Sequence, residues 1–506
     1  MVARTWSATL KGIDGERVGI ESSRQPNLPK IQITGLPGEA IRESRERVRA
    51  CLVQFGFDVP SSHILVHLWP ADSRKAGSQL DLAVAIAILG AEEMVPSDKI
   101  HRVAFLGELT ITGELLPING TVGLLEALVP CPDLDFVILP RANGWEAALV
   151  PSAKVRLAAN FSEVLDFIRG AHDLPTAEGI GPTPSIPIPR MDEVRGNAAA
   201  KRAVEIAVAG RHHGLFVGPP GVGKTLVAQA AESLLPPLHP SEVAVVLKTH
   251  TGQTNRDRNP WSRPFRAPHH SSSMSSLLGG GSASVHAGEA TLAHLGVLFL
   301  DEFPEFRRDA IEGLREPLQN GSIRVQRVGT GGNSALPARF SLLVAMNPCP
   351  CGYALSPEKM CRCPSEVKTR YQRRISGPIV ERIDLYVRLE FQKEAEASSD
   401  RYRHAEMAAR IATAFDRQNR RYGSAIARNG DADRLAFAGA FALGEAETAW
   451  WQAQVLPQAL NHRRLDKLMR VARTIADLEG EERILLCHLQ EAWLFRCVPS
   501  QAAGWQ

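Results

Sequence analysis

The sequence has no long hydrophobic run. Its longest apolar stretch, Leu82–Leu89, falls far short of the ~20 residues a membrane-spanning helix needs, so no membrane partner is expected. The opening stretch, MVARTWSATLKGIDGE, lacks the apolar segment and cleavage site of a secretory signal, and a cytoplasmic protein is the expectation. Cysteine is scarce: there are eight, and four crowd into Cys349–Cys363. That crowding suits metal-binding thiols in a reducing compartment, whereas a disulfide framework would spread them. An excess of one charge is missing too. The formal net charge of +3 excludes a polycationic chain and confines any nucleic-acid surface to a local patch. Internal repeats and long low-complexity tracts are also absent.

What remains is an ordinary globular composition, with 44% hydrophobic and 22% charged residues. At 506 residues the chain is too long for one core, and about 150 residues per domain suggests about three domains. Residues 1–170 mix strand-like runs (Ile31–Ile33, Ile64–Leu68, Phe136–Leu139) with helical ones (Glu39–Phe55, Leu80–Leu89), predicting an α+β domain. Residues 171–190, rich in Pro and Gly without periodicity, read as an extended linker. Residues 191–390 alternate strands and helices in the manner of a parallel α/β sheet. Residues 391–506 are rich in Ala, Arg and Glu at helical spacing and read as a small helical domain. The fold class is therefore multi-domain α/β.

The clearest chemistry lies in the central region. An apolar strand at His213–Val217 runs into Gly218, Pro219, Pro220, Gly221, Val222, Gly223, Lys224 and Thr225, followed by a predicted helix at Leu226–Leu235. Strand, glycine-rich loop and helix together form a phosphate loop. Glycines let backbone N–H groups approach phosphates, and the helix N-terminus adds its positive end. Lys224 is expected to reach the β- and γ-phosphates of ATP, and the Thr225 hydroxyl to bind Mg²⁺. Downstream, Gly296–Leu300 is an apolar run ending in Asp301 and Glu302. At the carboxyl end of a buried parallel strand these carboxylates can hold the Mg²⁺ shell and polarise water, respectively. A third apolar strand, Phe340–Met346, ends at Asn347.

This succession resembles the AAA+ ATPases. The resemblance implies that Asn347 is a water-orienting sensor and that Arg382, in Ser376-Gly-Pro-Ile-Val-Glu-Arg-Ile-Asp384, reaches the γ-phosphate of a neighbouring subunit. An internal ion pair of Arg382 with Glu381 or Asp384 is the alternative. More narrowly, the chain resembles the ComM/YifB family of magnesium-chelatase-like AAA+ proteins. That similarity rests on Gly35-Leu-Pro-Gly-Glu-Ala-Ile-Arg-Glu-Ser-Arg-Glu-Arg-Val-Arg49, Phe105-Leu-Gly-Glu-Leu109, Arg263-Pro-Phe-Arg-Ala-Pro-His-His270, Asn347-Pro-Cys-Pro-Cys-Gly352 and Val471-Ala-Arg-Thr-Ile-Ala-Asp-Leu478. It implies a hexameric ring with helicase-type activity on DNA, driving branch migration of recombination intermediates in natural transformation. It also implies that Arg463 is a second sensor, in the helical lid, touching phosphates in its own subunit; Arg464 competes for that assignment. A chelatase-type or MoxR-type motor that remodels a protein partner is the alternative function.

The first region is similar to ribosomal-S5/Lon-protease-type domains. Lys75-Ala-Gly-Ser-Gln-Leu-Asp81 matches the string that carries the Lon nucleophile, yet Gln79 stands at the serine position. Val122 stands where the lysine base would be. Ser–Lys catalysis needs both partners, so an inactive domain serving as scaffold or DNA guide is expected.

Cys349-Pro-Cys351 and Cys361-Arg-Cys363 form two close pairs suited to a structural, tetrahedral Zn²⁺. The run Ser322–Val328, a turn at Gly329–Ser334 and a strand over Ala338–Met346 predict a hairpin. By resemblance it projects into a ring pore, where Arg324 and Arg327 would meet DNA phosphates. His269 and His270 with the serines after them are a second candidate insert, and Arg370, Arg373 and Arg374 a further basic cluster.

Overall fold

The computed structural model describes residues 2–26, 28–35, 38–57, 62–70, 77–179, 191–251, 259–280, 286–326, 333–356, 359–391, 402–433, 438–458 and 460–496. Lys75, Arg327 and residues 180–190 of the expected linker lie outside the described residues. The chain divides into two compact units, Met1–Pro182 with Val243–Asp257, and Thr183–Glu242 with Arg258–Gln506.

The first unit is built on a seven-stranded sheet of β1 (Val2–Lys11), β2 (Asp14–Gln25), β3 (Lys30–Thr34), β4 (His63–Trp69), β5 (Val103–Phe105), β6 (Phe136–Pro140) and β7 (Val155–Ala158). Its order is β3-β4-β2-β1-β5-β6-β7. β1, β2 and β4 pair antiparallel, while β3 and the β5-β6-β7 side add parallel strands. The longer helices are α1 (Gly38–Gln54), α2 (Asp81–Ala91), α3 (Thr121–Leu128) and α4 (Phe161–Arg169). Every residue of α2 is buried, which explains a sequence apolar all round where a surface helix would carry a stripe. The strands and helices expected from the sequence match these elements to within a few residues at their ends.

The second unit contains α5 (Ala198–Gly210), β8 (Gly214–Val217), α6 (Lys224–Leu234), β9 (Phe265–Arg266), β10 (Val297–Leu300), α7 (Arg308–Gly313), β11 (Ser322–Gln326), β12 (Asn333–Pro337), β13 (Ser341–Met346), α8 (Ser365–Gln372) and β14 (Leu385–Arg388). It continues with α9 (His404–Tyr422), α10 (His462–Leu478) and α11 (Leu486–Phe495). Five strands form a parallel sheet in the order β9-β10-β13-β8-β14. β8, β10 and β13 are buried at every position, the reason each reads as an unbroken apolar run. Because β13 lies between β10 and β8, the residues after these three strands emerge side by side. Ligands of open parallel sheets bind at that edge. Helices α9 and α10 pack on α5 through Met407, Ile411, Val471 and Ile475, within the same hydrophobic core as the sheet.

The hairpin differs from expectation in its second strand. β11 pairs antiparallel with β12, from Ser322 opposite Pro337 to Gln326 opposite Asn333. Asn333 and Ser334, assigned to the turn from their residue types, are strand residues. The stretch expected to close the hairpin instead enters the parallel sheet as β13, because its side chains are buried on both faces.

Candidate active site

The loop from β8 to α6 is shaped by its own residues. Gly223 takes φ +89° at the start of α6, a left-handed conformation that costs glycine little. Lys224 then begins the helix with its side chain turned back over the loop. Its Nζ donates to the carbonyls of Gly218 and Pro219, both at 2.8 Å, and to Asn347 Oδ1 at 3.1 Å. Among the described residues no carboxylate lies within ion-pair distance of this ammonium. Burial lowers its pKa to about 8, with Asp301 and Glu302 pulling the other way from farther off. A buried cation held only by neutral acceptors is under-compensated, and a phosphate fits that deficit.

The neighbouring residue completes the pattern. Thr225 Oγ1 donates to Asp301 Oδ2 at 2.6 Å, and Asp301 Oδ1 accepts the N–H of Glu302 at 2.8 Å. Hydroxyl and carboxylate already share one small space, the pairing that a hard oxygen-liganded cation such as Mg²⁺ uses. Lys224, Thr225, Asp301, Glu302 and Asn347 thus come together from three strands, as their positions at the strand ends suggested.

Glu302 has two further features that its sequence context does not announce. Its backbone is left-handed, φ +49° and ψ +43°, a strained conformation for a residue with a Cβ. Its Oε2 lies 3.1 Å from His270 Nδ1, and His270 stacks on His269 with ring centroids 4.1 Å apart. The sequence singled out these histidines only as an insert; the contact places one of them on the carboxylate expected to polarise water.

Arg382 stands apart from this cluster. It is largely buried, with Nη1 donating to the Pro378 carbonyl at 2.8 Å and Nη2 to Gln319 Oε1 at 2.5 Å. Neither carboxylate of the alternative reading pairs with it: Asp384 binds Lys467 at 2.5 Å, and Glu381 accepts from Asn461 at 3.3 Å. Burial, and then the nearby charges of Arg463 and Arg315, loosens the Arg382 proton. Arg463 is exposed in the first turn of α10 and acts on Arg382 electrostatically, while Arg464 lends its backbone N–H to the Asn461 cap at 2.9 Å.

A buried polar chain ties α10 to the sheet. Asp384 accepts the N–H of His213 at 2.8 Å, and His213 Nδ1 accepts the N–H of Leu342 at 3.1 Å. Lys467 donates to Asp384 and to the Arg382 carbonyl, each at 2.5 Å. His212 meets Thr474 at 2.7 Å. Burial pushes both histidines down to about 4, so they are neutral links at neutral pH.

The cysteines follow Asn347 directly. The Cys349, Cys351 and Cys361 sulfurs lie 3.4–3.6 Å apart, and all four sulfurs are within 4.8 Å of one another. Tetrahedral Zn–S bonds of about 2.3 Å put sulfurs roughly 3.8 Å apart, so the cluster has the dimensions of a zinc cage. Burial raises the Cys349 thiol to about 12; at Cys351 burial is outweighed by a Tyr353 backbone hydrogen bond and neighbouring thiols, leaving about 6. Gly352, at φ +83°, lets this loop press on the phosphate loop, since a Cβ there would stand 2.6 Å from Pro220.

In the first unit the residues at and beside the Lon-type positions have structural partners among the described residues. Ser78 Oγ donates to Glu108, and Val122 is buried in α3. Arg324 is exposed on β11, its backbone N–H bound to Glu316 at 3.2 Å. No helix among the described residues is long and apolar enough to cross a membrane.

Comparison with known proteins agrees with this architecture. Residues 190–397 match the family described as Magnesium chelatase, subunit ChlI; residues 20–143 match Subunit ChlI of Mg-chelatase; residues 402–496 match Magnesium chelatase, subunit ChlI C-terminal. The N-terminal similarity to Lon is also found: an archaeal Lon protease of Thermococcus kodakarensis is 30% identical over 138 residues, 27% of this chain and 21% of that protein. YifB of Escherichia coli is 33% identical over 499 residues, covering 96% of this chain and 95% of the relative. The competence protein ComM of Haemophilus influenzae is 33% identical over 509 residues, covering 98% of each. Matched almost end to end at one-third identity, the chain belongs to the ComM/YifB family of magnesium-chelatase-like AAA+ proteins.

Proposed function

We propose that this chain assembles into a ring, a hexamer, whose ATP hydrolysis drives translocation on DNA and branch migration during recombination of DNA taken up in natural transformation. The observation that carries the reading is the 98% mutual coverage with a protein named for competence. The AAA+ family implies ATP and Mg²⁺, and the geometry fits both. Lys224 and the loop residues 218–225 would hold the phosphates, and Thr225 with Asp301 would hold Mg²⁺. When bound, Mg²⁺ neutralises charge that develops on the transferred phosphoryl group. Asn347 orients the attacking water, and Glu302 accepts its hydrogen bond once His270 releases the carboxylate. Arg382 serves the neighbouring subunit's site after leaving Gln319, and Arg463 touches phosphates in its own subunit. Arg324 and Arg327 contribute phosphate contacts in the pore.

Cys349, Cys351, Cys361 and Cys363 hold a structural Zn²⁺ that stiffens the loop between Asn347 and α8. Elemental analysis of protein purified without added metal should find about one Zn²⁺ per chain for one Cys₄ site; no zinc would remove the site.

Measuring ATP turnover with and without single-stranded or forked DNA tests the motor. Stimulation by DNA, with movement of a synthetic branched junction, is the expected result. A second reading, a chelatase-type motor acting on a protein partner, draws on the chelatase descriptions of all three matching families. Turnover indifferent to every DNA structure would favour it.

A further inference from the structure

Positive charge collects on the second unit at a place that the nucleotide site does not use. Arg370, Arg373 and Arg374, at the end of α8, face Arg308 at the start of α7 across a cleft of about 600 Å³. Glu366 is the single carboxylate in its lining among the described residues. Arg308, Arg370 and Arg373 are exposed, and among the described residues none has a carboxylate within ion-pair distance. Only Arg374 is compensated, its Nη1 lying 2.8 Å from Glu305 and donating to the Pro304 carbonyl at 3.0 Å.

Such an arrangement resists its own formation. Arginines at i, i+3 and i+4 repel one another along a helix edge. The negative end of α8 relieves part of that repulsion, yet it does nothing for Arg308, which arrives from a different helix. The wall is nonetheless held in place. Gln372 donates to the Pro348 carbonyl at 3.1 Å, Tyr371 is buried behind it, and Arg374 grips the turn that follows Glu302. A firm cleft with unspent positive charge is preorganised for an anion.

We infer that this cleft binds the phosphodiester backbone of nucleic acid without reading the bases. The inference rests on the DNA-motor reading above and adds a site to it. Among the described residues the lining contains no aromatic side chain on which a base could stack. Guanidinium forks match pairs of phosphate oxygens, and Ser365 and Thr369 offer hydroxyls along the same edge. Binding here is therefore sequence-independent and steeply dependent on salt.

The test is fluorescence anisotropy of labelled single-stranded and forked oligonucleotides with the full chain over a salt series. The double variant Arg370→Ala, Arg373→Ala should weaken binding roughly tenfold and flatten the slope of log affinity against log salt by about two. Arg308→Glu should weaken it to a similar degree, and the double variant Arg370→Lys, Arg373→Lys should retain most of the slope. Unchanged thermal unfolding of the variants confirms that the fold survives. Wild-type affinity and slope in both variants, with the unaltered chain still binding DNA, would overturn the cleft and leave the motor reading standing. An unaltered chain that binds no DNA would overturn both. If poly-glutamate binding falls in the variants while DNA binding stays constant, the cleft belongs to an acidic protein segment and the inference fails.

Discussion

Ser78 in the first unit and Lys224 in the second stand at similar places, each the first residue of a helical segment and each behind a glycine. They differ in how completely their surroundings satisfy them. Ser78 donates to Glu108; nearby, the buried Asp81 accepts from Ser44 at 2.6 Å and from Arg47 at 2.9 Å. That polar network is closed, each group answered by another side chain of the same unit. Among the described residues Lys224 bonds only carbonyl and amide oxygens, and burial lowers its pKa to about 8. A closed network serves stability, because it leaves nothing for a ligand to satisfy. An open one is costly in isolation and becomes favourable when an anion arrives. The two units therefore show one chain using buried polar groups for opposite ends.

The sharpest way to test that contrast is to remove the open charge. Lys224→Ala should abolish ATP turnover by weakening nucleotide binding, read by titration with a fluorescent ATP analogue. Glu302→Gln should keep nucleotide affinity and lose roughly 10²–10⁴-fold in turnover, the scale of a lost general base. Turnover at the wild-type rate in Glu302→Gln would displace the assignment to another residue.

Next in size is the buried chain that joins α10 to the sheet. Lys467→Met leaves Asp384 buried without its cation, which typically costs about 3–5 kcal/mol. Denaturant unfolding reads this directly. Asp384 is fully buried and, despite the opposing cost of burial, Lys467 holds its carboxyl far below the usual range. The stability it contributes is present above its unfolded pKa of about 4, and is lost as pH falls through the depressed folded value. The variant should show a flatter acid limb, having already lost that term; identical acid limbs would show that the pair does not act this way.

A smaller effect is expected at His270. Its contact at 3.1 Å occupies one carboxylate oxygen of Glu302, so His270→Ala should raise the turnover number of the DNA-free protein a few-fold and leave KM for ATP unchanged. A fall in turnover would mean that the histidine assists the chemistry. Smallest of all, Ser78→Ala in the closed network should cost about 1 kcal/mol or less and leave ATP turnover untouched. Neither that variant nor the parent should cleave an unfolded protein substrate; cleavage that disappears with Ser78 would reopen the first unit as a peptidase.

Much of the site was legible because its signals are local. A strand, a glycine-rich turn and a helix start depend on neighbouring residues, and so the phosphate loop and the Asp301–Glu302 strand end could be read directly. Even Asn347 was found from its position after an apolar run. The hairpin shows where such reading stops. Turn-forming residue types at Asn333 and Ser334 suggested a loop, yet both pair with β11. The apolar run after them was drawn into the sheet by burial on both faces.

The sequence by itself determined the family, the set of residues at the strand ends and the identities of Gln79 and Val122 in the first region. Only the tertiary structure decided which of those residues meet. Lys224 and Asn347 are 123 positions apart and touch because β13 lies beside β8. His270 reaches Glu302, Gln319 holds Arg382, and Arg308 faces α8 for the same kind of reason. Such contacts follow from strand order and helix placement, which no local periodicity encodes. Burial then sets the electrostatics, lowering the pKa of a lysine that sits among carbonyls to about 8.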